Sequence, residues 1–131
     1  MKEASFELRT AMEAALRPLG ITITHYSCLE LLGQRPGSSN SDLARGAFVT
    51  RQSMNTLLQA LELDGLVVRP ETAAVGRVLP AELTDKGRRQ LAEASAAVAG
   101  VESRMLSGFS ADEKAQLTLL LSRCAAALSD A

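Results

Sequence analysis

Five side chains between Thr50 and Gly65 have the types and spacing to read the edges of bases. Arg51, Gln52, Asn55, Thr56 and Gln59 fall on one side of a helical period. Gln and Asn carry a donor and an acceptor in one plane, so Gln52 and Asn55 can each pair bidentately with adenine in a major groove. Thr adds a hydroxyl and a methyl, Arg51 stands where the helix would begin, and Ser53 belongs to the same candidate set. A helix face that meets only water is usually richer in Glu and Lys. A polar outer face with no partner is the competing reading of this stretch taken alone. Arg77, further along, is placed to enter a minor groove or to contact phosphate.

The elements that must position these groups are marked in the sequence. Thr50 is a good N-cap and Gly65 suits the left-handed position past the last turn. Between them Met54, Leu57, Leu58 and Leu61 form the apolar stripe opposite the polar one. Upstream, Ser39-Asn40-Ser41-Asp42 has a form related to a capping box and opens a short helix with Leu43 and Ala44, ending near Gly46. Two short helices joined through Ala47-Phe48-Val49, the second with a polar reading face, make a helix-turn-helix pattern. Behind Gly65 the pattern becomes β. Leu66–Arg69 predicts one strand, Glu71–Gly76 a loop, and Arg77–Leu83 a return strand that is irregular or at an edge around Pro80. A hairpin directly behind such a helix is a wing.

The remaining segments are helical. Lys2–Arg17 places Leu8, Met12, Ala15 and Leu16 on one side, with Phe6 flanking, and Pro18 and Gly20 stop it. Thr22 can cap a second helix through Leu32, with Tyr26, Leu29 and Leu32 or Cys28 inward and Gly33 at its end. Thr84 caps a long helix to about Met105, with Leu91, Ala94, Val98, Val101 and Met105 along its stripe. Ser110-Ala111-Asp112-Glu113 is a full capping box ahead of a last helix carrying Leu117, Leu120, Leu121, Cys124 and Leu128. The terminal helices carry more apolar surface than a small winged unit can cover, which predicts a second copy across a two-fold axis. Phe6, Leu8 and Met12 from the first helix and Leu117, Leu121 and Leu128 from the last are the candidate interface residues, with Val98, Val101 and Met105 nearby.

The fold class expected is therefore mainly α with a small β-hairpin wing (α+β). It comprises one domain over residues 1–131: a winged helix-turn-helix part over about 22–84 and a helical dimerisation layer over about 2–19 and 85–131. The net charge of −1 argues against non-specific coating of nucleic acid, so binding must rest on the placement of a few arginines. Between Arg35 and Arg77 there are five arginines against four acids. Aromatic residues at 3% with no Trp argue against a single-strand stacking platform. No Ser/His/Asp spacing, phosphate-binding glycine loop or carboxylate cluster points to catalysis, and no catalytic residue is assigned. Cys28 and Cys124 form no CxxC or Cys/His cluster, so no metal or other cofactor is expected. Met1–Ser5 lacks the apolar core of a signal peptide and no run is long enough to span a bilayer, which predicts a cytoplasmic protein with no membrane contact.

Six short words, in order, carry a resemblance to a known family. They are Leu19-Gly20-Ile21-Thr22, Asp42-Leu43-Ala44-Arg45, Val49-Thr50-Arg51-Gln52-Ser53, Leu57 through Val68, Gly76-Arg77, and Leu83-Thr84-Asp85-Lys86-Gly87. Together they resemble the MarR family of bacterial winged-helix regulators over nearly the whole chain. Two positions depart from its pattern. The wing acid that commonly braces the wing arginine falls at Val75, and a helix position that often holds Arg or Lys is Thr56. The resemblance implies a homodimeric transcription factor on a pseudo-palindromic double-stranded site, usually a repressor, released by a small ligand or by oxidation. His25, Tyr26 and Cys28, near the junction of the two parts, are candidates for ligand contact and equally plausible as core packing. A winged helix used only for protein–protein contact and a cysteine-based redox regulator are the alternative readings.

Overall fold

A computed structural model describes residues 1–69 and 81–129. Five of its helices begin where a hydroxyl accepts from a backbone N–H of the first turn. Thr22 takes the His25 N–H (3.1 Å), Ser39 that of Asp42 (3.1 Å), Thr50 that of Ser53 (3.0 Å), Thr84 that of Gly87 (3.0 Å) and Ser110 that of Glu113 (3.1 Å). The order is α1 (Lys2–Leu16), a 3₁₀ turn (Arg17–Leu19) through Pro18, α2 (Ile23–Gln34), α3 (Asn40–Gly46) and α4 (Arg51–Leu63). Strands β1 (Val67–Val68) and β2 (Glu82–Leu83) follow, then α5 (Asp85–Met105) and α6 (Ala111–Ser129). The capping box at Ser110 is complete, since Glu113 Oε1 accepts from the Ser110 N–H at 2.9 Å.

Two helix ends share one geometry. After α4, the Gly65 N–H bonds Glu62 O (3.0 Å) and the Leu66 N–H bonds Leu61 O (2.9 Å), with Gly65 left-handed at φ 75°. After α3, the Phe48 N–H bonds Arg45 O (3.3 Å) and the Val49 N–H bonds Ala44 O (3.0 Å), with Phe48 left-handed at φ 58°. Both are the double-bonded helix ends that satisfy orphan carbonyls, and glycine is their usual left-handed residue.

Helix α2 runs to Gln34, two residues past its expected last residue, Leu32. Gly33 lies inside the last turn, and a Cβ there would sit 2.8 Å from Leu91 Cδ2, so the glycine gives room to a side chain of α5 and does not end α2. The wing strands are antiparallel, Val67 opposite Leu83 and Val68 opposite Glu82. The expected strand tip, with Pro80 and the departure at Val75, falls outside the described residues. Ahead of β2, Ala81 exchanges bonds with the segment before α3: Gly37 N–H to Ala81 O (3.3 Å) and Ala81 N–H to Ser38 O (3.4 Å). The stretch between α2 and α3 thus also edges the wing.

Burial divides in two. Cys28, Leu29, Leu32, Leu43, Met54, Leu58, Leu61, Leu66 and Leu83 form a core beneath the wing. Leu16, Ile21, Tyr26, Ala94 and Val98 form a second where α1 and α2 meet α5. Leu91 packs against both. Helix α6 joins neither. It has no buried residue, only Leu117 is half-buried, and Leu119, Leu120, Leu121 and Leu128 are 60%, 44%, 52% and 81% exposed. None of the described helices is long and apolar enough to cross a membrane.

Candidate nucleic-acid interface

The two-sided helix expected at Thr50 is present. Met54, Leu58 and Leu61 are buried and Leu57 packs against the same core, which fixes the rotation of α4 about its axis. The opposite side is therefore turned outward: Arg51, Gln52, Ser53, Thr56 and Gln59 are exposed and Asn55 is half-buried. The candidates differ in how free their polar groups are. Ser53 accepts from the Thr50 hydroxyl (2.9 Å) and so belongs to the cap. The Thr56 hydroxyl donates to Gln52 O (3.2 Å), which leaves its methyl as the outward group. Arg51, Gln52, Asn55 and Gln59 make no side-chain hydrogen bond among the described residues, so their donors and acceptors face outward uncommitted. Arg77 lies outside the described residues.

The far end of α4 is fastened to its neighbours. The Thr84 hydroxyl donates to Gly65 O (2.6 Å) and Lys86 Nζ to Asp64 O (2.8 Å), so two carbonyls at the helix end are held by the start of α5. Arg69, at the base of the wing, pairs with Glu62 of α4. At Gly87 the approach is so close that any Cβ would overlap the Leu66 carbonyl oxygen. In α3, Arg45 pairs with Asp42, whose carboxyl is held below the usual range by the Ser39 hydroxyl first and by Arg45 after it.

The three ligand candidates do not converge. His25 completes the cap of α2: its Nδ1 accepts from the Thr22 N–H at 3.2 Å, so the neutral ring carries its proton on Nε2. Burial pushes its pKa below the ordinary 6.5, against an opposing pull from Asp64. Tyr26 is buried in the second core and donates to Glu30 Oε2 (3.1 Å); burial, first among several causes, raises its pKa. Cys28 is buried in the first core with its Sγ 3.8 Å from Met54 Sδ, and burial pushes its thiol up to about 12. A thiol so strongly protonated is a poor redox sensor, because the thiolate is the reactive form. Cys124, the other cysteine, is exposed on α6.

The terminal layer is open. A groove of about 550 Å³ between α1 and the end of α5 is lined by Ala4, Leu8, Ala11, Val101 and Met105, with Glu7 and Arg104 at its polar edge. Phe6 is 66% exposed. Met12 packs into the second core, and Val98 and Val101 are buried in their own chain, so these three stiffen the layer from inside. Among the described residues no group of three His, Cys, Asp or Glu side chains converges as a metal site requires.

Comparison with known proteins gives a consistent picture. The sequence model of the MarR family matches residues 19–78. The HTH-type transcriptional repressor Rv2887 of Mycobacterium tuberculosis is 42% identical over 116 residues, which cover 88% of this chain and 84% of that protein. The crystal structure of the MarR family protein Rv2887 in complex with DNA superposes with a TM-score of 0.80 at 38% identity, over 94% of this chain and 92% of that one. Its complex with salicylic acid gives 0.77 at 40% identity, over 94% and 91%. The transcriptional repressor CouR bound to a 23-mer DNA duplex gives 0.86 at 30% identity, over 95% and 88%.

Proposed function

The chain belongs to the MarR family, and on that premise we propose that it is a sequence-specific repressor that reads double-stranded DNA as a two-fold dimer and is released by a small molecule. The observation that carries the reading is the two-sidedness of α4. One side is locked into the core by Met54, Leu58 and Leu61, and the other presents uncommitted Arg51, Gln52, Asn55 and Gln59. A helix fixed in rotation with such a face is a major-groove reader, its amides pairing with adenine edges. Ser53 and the Thr56 methyl complete that face, and Arg77 on the wing would contact the minor groove or phosphate.

The dimer is supported by α6, which has 19 residues and buries none of them in its own chain. We read residues 22–84 as the DNA-binding part and residues 2–19 and 85–131 as the dimerisation layer. Phe6, Leu8, Leu117, Leu121 and Leu128 are the residues offered to the partner, and the open groove between α1 and α5 is the natural seat for a partner helix. A two-fold axis would set two α4 helices on one face of DNA, about 34–36 Å apart, over a pseudo-palindrome. Such a target lies in the cytoplasm. For the effector, the repressor Rv2887 holding salicylic acid supports a small aromatic carboxylate.

The test is binding-site selection from a random duplex library with wild type and Gln52→Ala. Wild type should enrich a two-fold site, and the variant should lose base preference at one position in each half, worth roughly 1–3 kcal/mol of discrimination. Salicylate added to the wild-type complex should release the duplex. Enrichment of no site by wild type would reject base reading and favour a protein partner instead.

A further inference from the structure

The turn between α3 and α4 holds a residue that the polar face does not explain. Phe48 is 94% exposed, and it is the one non-glycine with positive φ among the described residues. It occupies the left-handed position of a double-bonded helix end, the place Gly65 takes after α4. There an L side chain brings its Cβ against the next carbonyl oxygen, so any residue other than glycine is unfavourable. The phenyl ring recovers nothing from the fold, since it meets solvent. A lone exposed apolar residue needs no explanation. An exposed aromatic held in a strained backbone conformation does, and strain of this kind gathers at functional positions.

Its location says which function. Phe48 stands two residues before Thr50, the N-cap of α4, and three and four before the exposed Arg51 and Gln52 of the first turn. The N-terminal residues of a recognition helix are the ones that reach base edges. A phenyl ring has no hydrogen-bonding group for a base or a phosphate. The apolar feature that a major groove offers it is the C5 methyl of thymine. We infer that Phe48 is a specificity-determining residue that packs its ring on a thymine methyl in each half-site. The inference rests on α4 being the base-reading helix.

The probe is the duplex most enriched by wild type from a random library, with its thymines replaced one at a time by deoxyuridine, which removes only the methyl. Wild type should lose about fourfold in affinity at one thymine per half-site, the worth of one buried methyl. Phe48→Ala should bind the unmodified duplex more weakly by a similar factor per half-site and be indifferent to that replacement, while Gln52→Ala remains sensitive to it. Phe48→Gly should melt above wild type, because glycine relieves the left-handed backbone, yet bind like Phe48→Ala. It therefore supplies the same readout if the alanine variant folds poorly. Wild-type affinity in both Phe48 variants, or a full fourfold response to deoxyuridine in them, overturns the inference. A wild type that enriches a site but responds to no deoxyuridine overturns it while leaving base reading intact. A wild type that enriches no duplex overturns both.

Discussion

Two glycines of α5 should answer the same substitution with opposite signs. Helix propensity alone predicts that Gly→Ala stabilises a helix interior by roughly 0.5–1 kcal/mol. Gly100 is exposed, with nothing within 4 Å of where its Cβ would lie, so Gly100→Ala should realise that gain. Gly87 is buried against Leu66, just before β1, and Leu83 of β2. A Cβ there would overlap the Leu66 carbonyl oxygen, sit 3.0 Å from its carbon and 3.3 Å from Leu83 Cδ2. Two of these three atoms are backbone, so neither can rotate away, and α5 must retreat by roughly 1 Å to restore ordinary contact. Overpacking of this kind costs about 1–3 kcal/mol. The same oxygen accepts the Thr84 N–H at 3.0 Å, so the retreat also strains a hydrogen bond worth about 1 kcal/mol net. Subtracting the propensity gain, Gly87→Ala should lose about 1–3 kcal/mol. At roughly 3–5 °C per kcal/mol for a chain this size, Tm should fall by about 3–15 °C, against a rise of about 2–5 °C for Gly100→Ala. Urea and thermal unfolding at one fixed protein concentration measure both. A Gly87→Ala protein as stable as wild type would refute the close approach between α5 and the Leu66 carbonyl.

Leu121→Glu puts a charge on the exposed stripe of α6, where burial without a partner costs several kcal/mol, so sedimentation should show monomer and DNA affinity should drop although α4 is untouched. A wild type that sediments as a monomer while binding DNA tightly would sink the dimer. His25 has a folded pKa below 6.5, so as pH falls the unfolded chain takes the proton first. The stability it supports is full above 6.5 and declines as pH drops through the folded value. His25→Gln keeps an acceptor for the Thr22 N–H without titrating, and stability curves for the two proteins should converge only at higher pH. Cys28, with its thiol pushed up to about 12, should resist a thiol reagent in a Cys124→Ser background until the protein unfolds; rapid labelling of the native protein would restore a redox role.

What the sequence announced were features written in single side chains. Thr50, Thr84 and Ser110 cap because a hydroxyl beside a helix start has one good use, and Gly65 ends α4 because it alone there tolerates φ 75°. The outward set Arg51, Gln52, Thr56 and Gln59 followed from the period of Met54, Leu58 and Leu61. Features made by backbone or by contact were not written there. The bonds of Gly37 and Ser38 with Ala81 involve no side chain and leave no mark in residue type. Gly33 reads as a stop, yet it serves an approach to Leu91 that lies far along the chain. Gly46 marked the end of α3 correctly, but the left-handed residue that closes that end is Phe48, where glycine is usual. His25 took the place in a capping box where Glu or Gln is expected, so it read as a ligand candidate.

The bonds from Thr84 and Lys86 to the carbonyls of Gly65 and Asp64, just past α4, make α4 and the start of α5 move as one piece. With 21 residues, α5 is about 30 Å long, and its other end lies in the terminal layer against α1. It is therefore a lever. Tilting it by about 10° about its terminal end swings the opposite end through about 5 Å, more than the ~3.4 Å rise of one base pair. In the proposed dimer, a small shift in how two terminal layers seat on each other would thus carry both α4 helices out of step with the groove, with neither core repacked.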